Sequence, residues 1–238
     1  FSEPAILFDR DPNLFPDTAS QPSQEVMMGD IVQTSEDTVS LSVRTVTQAP
    51  IERVEVRNGT EVIETLRGYT EQDLGRRIRV LWSGAEYRGR GRDTNWKGKV
   101  SFGGANIRRF EKINAWNHDR LFEQQGQDTI VFDAISTGNF GGFDAWLDAD
   151  KSGELSVATN LGGMTLPLDE IGFDDVVMEA GGLGRRITAF RLPEENTCRE
   201  ITAEVEIPIA AGRDNPLWIC VTTEDGFQAW SSPIYVFQ

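Results

Sequence analysis

The sequence has few of the residues on which metal and nucleophilic chemistry most often depends. It contains one histidine, His118, and two cysteines, Cys198 and Cys220. A single imidazole removes most candidates for zinc sites with several histidines and for Ser-His-Asp sites. His118 stands among polar residues in NAWNHDR, which favours a surface position. Both cysteines lie in strand-like segments, so we expect two buried free thiols, with a disulfide as the alternative.

Long apolar segments are also absent. No stretch approaches the roughly 20 apolar residues of a membrane-spanning helix, so we expect no membrane partner. The sequence begins at Phe1 without a charged segment followed by an apolar core, so it shows no signal peptide. We therefore expect a processed chain or a piece of a longer protein.

Positive charge is scarce overall but concentrated in one segment. The net charge is −15 and the isoelectric point is near 4.5, a balance that disfavours nucleic acid as a partner. Residues 76–112 contain 11 Lys or Arg and only three acidic residues, a net charge of +8. One basic segment therefore lies within an acidic protein.

Short segments of alternating apolar and polar residues follow one another along the chain. TVSLSVRTV alternates as a half-buried strand does, and IERVEVRNGTEVIETL predicts a hairpin in which Asn58-Gly59 supplies two positive φ angles. Glycine, proline, asparagine and aspartate separate the segments. The pattern predicts an all-β, mostly antiparallel protein: an immunoglobulin-like β-sandwich with a second β-unit inserted into it.

The two ends of the chain resemble each other in strand pattern, whereas the middle is rich in glycine. We therefore expect an extended lead-in or linker over 1–25, a discontinuous sandwich over 26–82 plus 198–238, and an inserted β-unit over 83–197. The alternative is one large sandwich with long excursions.

The basic segment contains a candidate binding site. If Arg88-Gly89-Arg90-Gly91-Arg92 is extended, its three arginines share one face and could hold an anionic ligand or a neighbouring domain. Trp82 and Trp96 flank this run and are included in the candidate site. The alternative is structural, because arginine also stacks stably on tryptophan.

The stretch WLDADKSGELSVATN contains a candidate calcium site. Asp148, Asp150 and Ser152, followed by Gly153, match the first positions of a calcium loop, but Thr159 stands where a chelating Glu is required. The flanking segments alternate as strands do. The pattern favours a hairpin turn, so we expect no cofactor in this chain, with calcium as the alternative. Carboxylate catalysis near Asp144, Asp148, Asp169 or Asp174 is a further alternative.

Several blocks together resemble a known family. IERVEVRNGTEVIETLR, RIRVLWSGAEYRGRGRDTNWKG, FDAWLD with GELSVATN, and DNPLWICVTTEDGFQAWSSPIYVF are similar to the carboxy-terminal β-region of uncharacterised bacterial proteins related to PHP-type metal-dependent hydrolases. The resemblance covers roughly residues 26–238 in separate blocks.

The resemblance implies an accessory role. It implies a non-catalytic β-domain that packs on, or presents substrate to, a catalytic domain of the same parent chain. PHP metal sites use many His, Asp and Glu residues, and no residue here matches one, so no catalytic residue is assigned. The rival function is a carbohydrate-binding module with a structural calcium, which requires exposed tryptophans.

Overall fold

The computed structural model describes residues 1–149 and 152–238 and places them in two compact units. The first unit comprises Phe1–Gly68 and Thr197–Gln238, and the second comprises Tyr69–Asn196. The described residues contain no α-helix, only a short 3-10 turn at Glu71–Asp73, so they include no helix that could cross a membrane. The all-β class expected from the alternating segments is confirmed.

The described residues form twenty strands in the two units. In chain order they are β1 (Ala5–Phe8), β2 (Ser20–Ser23), β3 (Ile31–Gln33), β4 (Thr38–Val46), β5 (Ile51–Asn58), β6 (Glu61–Leu66), β7 (Arg77–Ala85), β8 (Thr94–Gly103), β9 (Ile107–Ile113), β10 (Phe122–Gln125), β11 (Thr129–Ser136), β12 (Phe140–Leu147), β13 (Glu154–Thr159), β14 (Gly162–Pro167), β15 (Val176–Glu179), β16 (Leu183–Leu192), β17 (Glu200–Pro208), β18 (Asn215–Thr223), β19 (Gln228–Trp230) and β20 (Ile234–Phe237). All strand pairs are antiparallel except β20 with β3.

The first unit has one large sheet and one small sheet. The large sheet runs β2-β1-β3-β20-β18-β5-β6, with β19 paired to β18, and the small sheet is β17-β4. Alternate residues of both sheets, such as Val54 on β5 and Val205 on β17, belong to the same buried apolar core. This arrangement is a β-sandwich, and its likeness to immunoglobulin domains stays a prediction.

A buried asparagine pair holds three strands of this unit together. Asn58 at the end of β5 donates from its Nδ2 to Asn215 Oδ1 on β18 at 3.0 Å. Asn215 is fully buried, and its own Nδ2 donates to the carbonyl oxygens of Ala210, Arg213 and Val236. Its Oδ1 also accepts the N–H of Ala210 at 3.0 Å. One side chain thereby satisfies several buried backbone groups at once.

The Asn-Gly hairpin forms, but its turn differs from the expected type. Strands β5 and β6 pair as predicted, with Asn58 opposite Glu61. Gly59 has φ +60°, whereas Asn58 does not have a positive φ. A single positive φ at the first central residue is the pattern of a type II′ turn. Asn58 is the last strand residue because its side chain is held by Asn215.

The second unit is a sandwich of two five-stranded sheets. One sheet runs β15-β16-β7-β12-β9 and the other runs β10-β11-β8-β13-β14. Its core lies between the sheets and includes Ile78, Val80 and Trp82 from β7, together with Val100 and Phe102 from β8. Residues 77, 79 and 81 of β7 therefore lie on the opposite face of their sheet.

The unit boundaries differ from those expected. Residues 69–82 belong to the second unit, because β7 pairs with β12 and β16 in the centre of a sheet of that unit. The expected lead-in over 1–25 is no separate linker, since β1 and β2 belong to the large sheet of the first unit. The chain leaves the first unit at Gly68 and re-enters it beside the same point, where a side-chain carbon at Gly68 would lie 2.2 Å from Cys198 Sγ.

Candidate functional site

Arg88, Arg90 and Arg92 lie in an exposed loop between β7 and β8. All residues of this basic loop, 86–93, are exposed. The segment is not extended, because Gly89 and Gly91 have φ of +106° and +72°, and the Glu86 N–H donates to the Arg92 carbonyl oxygen at 3.2 Å. Among the described residues, the three guanidinium groups form no ion pair and are free to meet an anion.

Trp82 and Trp96 do not belong to this site. Trp82 is 2% exposed and stacks on Phe132 with ring centroids 4.3 Å apart. Trp96 is fully buried and donates from Nε1 to Ser136 Oγ at 2.8 Å. Both face the core of the second unit, so neither can stack on a ligand or on the exposed arginines. The prediction that Trp82 and Trp96 belong to the candidate site is therefore wrong.

The basic segment 76–112 is not one surface. Arg77 and Arg79 on β7 are 4% and 0% exposed, and both donate to the carboxylate of Asp144 on β12. The Arg79 Nε lies 2.7 Å from Asp144 Oδ1, and the Arg77 Nη2 lies 2.5 Å from Oδ2. Two of the segment's positive charges are thus buried and paired with Asp144.

This buried clamp also fixes the ionisation state of Asp144. Burial raises the pKa of the carboxyl group, but the guanidinium groups of Arg79 and Arg77 outweigh burial and hold the pKa below its ordinary value. A carboxylate held this way is a structural anion and not a proton donor near neutral pH. Asp144 therefore does not fit the catalytic role considered for it.

A second exposed loop leaves the same end of the sandwich. Strands β7 and β9 both pair antiparallel with β12, so they run in the same direction. Both end at the same edge of the sheet, with β12 between them. The loop after β9, residues 114–121, is termed the aromatic loop and contains Trp116, which is 66% exposed. His118 is exposed in the same loop. Tyr87 in the basic loop is 51% exposed.

Hydrogen bonds connect the aromatic loop, and the strands that flank the basic loop, to neighbouring residues. The Asn114 Nδ2 donates to the Phe140 carbonyl oxygen at 3.0 Å, while the Gly84 N–H donates to the Asn139 carbonyl oxygen at 3.2 Å. Arg120 of the aromatic loop donates to Asn95 Oδ1, two residues after the basic loop, at 3.4 Å. The basic loop and the aromatic loop together are termed the loop-end surface, because they flank the same short turn between β11 and β12.

Further arginines border the loop-end surface. Leu183, the first residue of β16, pairs with Ala85 at the end of β7, and Arg186 pairs with Ser83, so Arg185 and Arg186 lie beside the last strand residues before the basic loop. Arg186 is exposed, and Arg185 Nε is buried without a hydrogen-bond partner among the described residues. This end of an acidic protein is therefore locally rich in guanidinium groups.

The candidate calcium stretch is a crossover and not a hairpin. Strand β12, which ends at Leu147, belongs to one sheet of the second unit, and β13, which begins at Glu154, belongs to the other. Asp148 Oδ1 accepts the Asn106 N–H at 2.7 Å, and Oδ2 accepts the Asn106 Nδ2 at 2.8 Å. These bonds, with the backbone bond first, lower the pKa of Asp148. Ser152 is exposed, and Asp150 lies outside the described residues.

We expect calcium and chelator to leave the melting temperature of the protein unchanged. Both oxygens of Asp148 are already occupied by Asn106, and within 1–149 and 152–238 no three acidic, histidine or cysteine side chains are grouped to hold a metal ion. Thermal unfolding with calcium and with chelator measures this directly, because a ligand that binds only the folded state raises the melting temperature. A rise with calcium that Asp148→Asn abolishes would contradict the expectation.

Cys198 and Cys220 are both free thiols, as expected, but only Cys220 is buried, whereas Cys198 is partly exposed. Cys220 is buried in β18, and burial raises the pKa of its thiol. Such a thiol is a weak nucleophile near neutral pH. No protein-family model, curated protein or solved structure matches this chain.

Proposed function

We propose that this chain is an accessory β-module of a metal-dependent hydrolase, and that it is not itself catalytic. Its loop-end surface binds an anionic group of the substrate and presents it to a catalytic domain of the same parent protein. The observation that carries the proposal is the set of three exposed arginines without ion pairs in the basic loop. The sequence resemblance described above supplies the kind of catalytic partner.

Unpaired arginines on a loop indicate binding more than stability. An exposed ion pair contributes little to folding, and these guanidinium groups make none among the described residues. Arginine presents a rigid fork of N–H donors that matches carboxylate and phosphate oxygens. Gly89 and Gly91 let the loop turn sharply between successive arginines. The loop therefore offers several donors to one anionic ligand.

A second candidate function is a carbohydrate-binding module. The specific observation that favours it is the exposure of Trp116 and Tyr87 in adjacent loops at one end of the sandwich. Two exposed rings at one end of a sheet can act together, and their flat faces suit the apolar face of a sugar ring. Thermal unfolding with calcium and with chelator also tests the structural calcium of this alternative.

The proposed function is tested by neutralising the basic loop. We expect the triple variant Arg88→Gln, Arg90→Gln, Arg92→Gln to bind anionic probes at least tenfold more weakly than the wild type, because each lost charge-assisted bond contributes about 1.5–3 kcal/mol. Isothermal titration with trigalacturonate and with tripolyphosphate measures the loss. Thermal unfolding of the variant should stay unchanged, since the loop is exposed.

The control is a triple variant of equal charge in the first unit. Arg44, Arg199 and Arg213 are exposed there, and changing them to Gln removes the same net charge. Equal weakening in this control would show that bulk charge is responsible, and absence of binding by the wild type to both probes would contradict the proposal.

A further inference from the structure

The basic loop and the aromatic loop begin at neighbouring points of one sheet. Only β12 separates β7 from β9, so the two loops leave the sheet about 10 Å apart, from a strand spacing of about 4.8 Å. Tyr87 folds back within the basic loop, where a side-chain carbon at Gly91 would lie 3.0 Å from its hydroxyl oxygen. Tyr87 therefore shares one loop with the three arginines, and Trp116 stands in the loop that leaves the sheet beside it.

The exposure of the two rings distinguishes them from the other aromatics of this unit. Trp82, Trp96 and Phe132 are buried in the core, whereas Trp116 is 66% and Tyr87 is 51% exposed. Among the described residues, no arginine stacks on Trp116 or Tyr87. The stacking arginines of this part of the sheet, Arg77 and Arg109, lie over Trp146 instead. A ligand with a flat apolar face would bury both rings favourably.

The charge of the whole chain limits the length and charge density of the ligand. The net charge is −15, so beyond the loop-end surface a long polyanion meets repulsion. Charges separated by more than about 8 Å are largely screened at physiological ionic strength, so a short ligand experiences mainly the local charges. In the basic loop these are the three arginines together with Glu86 and Asp93. Nucleic acid carries densely spaced phosphates. A short ligand with widely spaced carboxylates therefore suits the loop-end surface better than nucleic acid does.

We infer that the loop-end surface binds a short acidic saccharide. Trp116 and Tyr87 stack on sugar rings, and Arg88, Arg90 and Arg92 hold the carboxylate groups that the rings carry. This inference rests on the anion-binding function proposed above and adds the sugar ring as a required part of the ligand.

Matched ligands separate the ring from the charge. The acidic probes are trigalacturonate and trimannuronate, and their neutral counterparts are galactotriose and mannotriose. Tripolyphosphate supplies charge without a ring. We expect isothermal titration to show the acidic trisaccharides binding at least tenfold more tightly than the neutral ones. We also expect Trp116→Ala to weaken the acidic trisaccharides about tenfold, consistent with the 1–3 kcal/mol of a stacked ring, and to leave tripolyphosphate unchanged.

Trp230→Ala is the matched control. Trp230 is 61% exposed but belongs to β19 of the first unit, so its loss should change no affinity. If tripolyphosphate binds as tightly as the acidic trisaccharides and Trp116→Ala has no effect, the anion site stands and the saccharide inference fails. If a thymidine oligonucleotide of equal charge binds more tightly, the ligand is a nucleic acid. If no anionic probe binds, the proposed function fails as well.

Discussion

Asp144→Asn is expected to destabilise the second unit by about 3–5 kcal/mol, the usual effect of removing one partner of a buried ion pair. The variant keeps the shape of the side chain but leaves the guanidinium groups of Arg77 and Arg79 buried without their anion. Denaturant unfolding measures the loss, and thermal unfolding should show the transition of this unit lowered by roughly 10 °C.

The matched control is Glu111→Gln. Glu111 lies opposite Asp144 on the neighbouring strand β9 and pairs with Arg109, but about half of its side chain is exposed. Its loss should change stability by no more than about 1 kcal/mol. Similar losses for both variants would contradict the clamp as the main source of the effect.

The difference between wild type and Asp144→Asn should depend on pH. The folded-state pKa of Asp144 lies below its unfolded value, so its contribution is present above about pH 3.9, the ordinary Asp pKa. That contribution is lost as the pH falls through the folded-state pKa. The free energy gap between the two proteins should therefore be constant near neutral pH and shrink in acid. A constant gap down to strong acid would show that charge is not responsible.

Asn215→Ala is expected to destabilise the first unit by roughly 3 kcal/mol, because a buried polar group left unpaired costs about 1–3 kcal/mol. The variant removes the acceptor of the Ala210 N–H and the donor to the carbonyl oxygens of Ala210, Arg213 and Val236. Urea unfolding, followed by the fluorescence of the tryptophans, measures this change.

Graded variants locate the source of the loss. Asn58→Ala removes one of the bonds to Asn215 and should cost less, about 1–2 kcal/mol. Asn13→Ala, at an exposed position of the same unit, should cost little. If Asn58→Ala is as damaging as Asn215→Ala, the bond between the two amides dominates, and the backbone bonds of Asn215 contribute little.

The fold could be predicted further than the site. Alternation along TVSLSVRTV and the Asn-Gly hairpin reflect local rules, and β4, β5 and β6 form where those rules place them. The unit boundary depends on which sheet β7 joins, and a strand carries no local signal of its neighbours. The same applies to the placement of β12 and β13 in different sheets, since the residue types of a hairpin turn also suit a connection between sheets.

The site could be predicted in part. The exposed arginines follow from the glycines between them, which suit a loop. Trp82 continues the alternation of Ile78 and Val80, so the same period-two pattern that predicts a strand also indicates its core position. Trp116 stands among polar residues in NAWNHDR, and that setting is a signal of exposure. Its proximity to the basic loop depends on β12 lying between β7 and β9, which the sequence does not reveal.

The contact between Gly68 and Cys198 has a consequence for how this chain could have arisen. The first unit is interrupted after Gly68 and resumes at Thr197, and these two points are neighbours in space. The interruption therefore opens no gap in the sandwich of the first unit. A coding segment placed in frame between two adjacent codons of an ancestral loop would suffice to produce the present order of strands. Conversely, residues 69–196 can be deleted and Gly68 connected to Thr197 by a short glycine-containing linker.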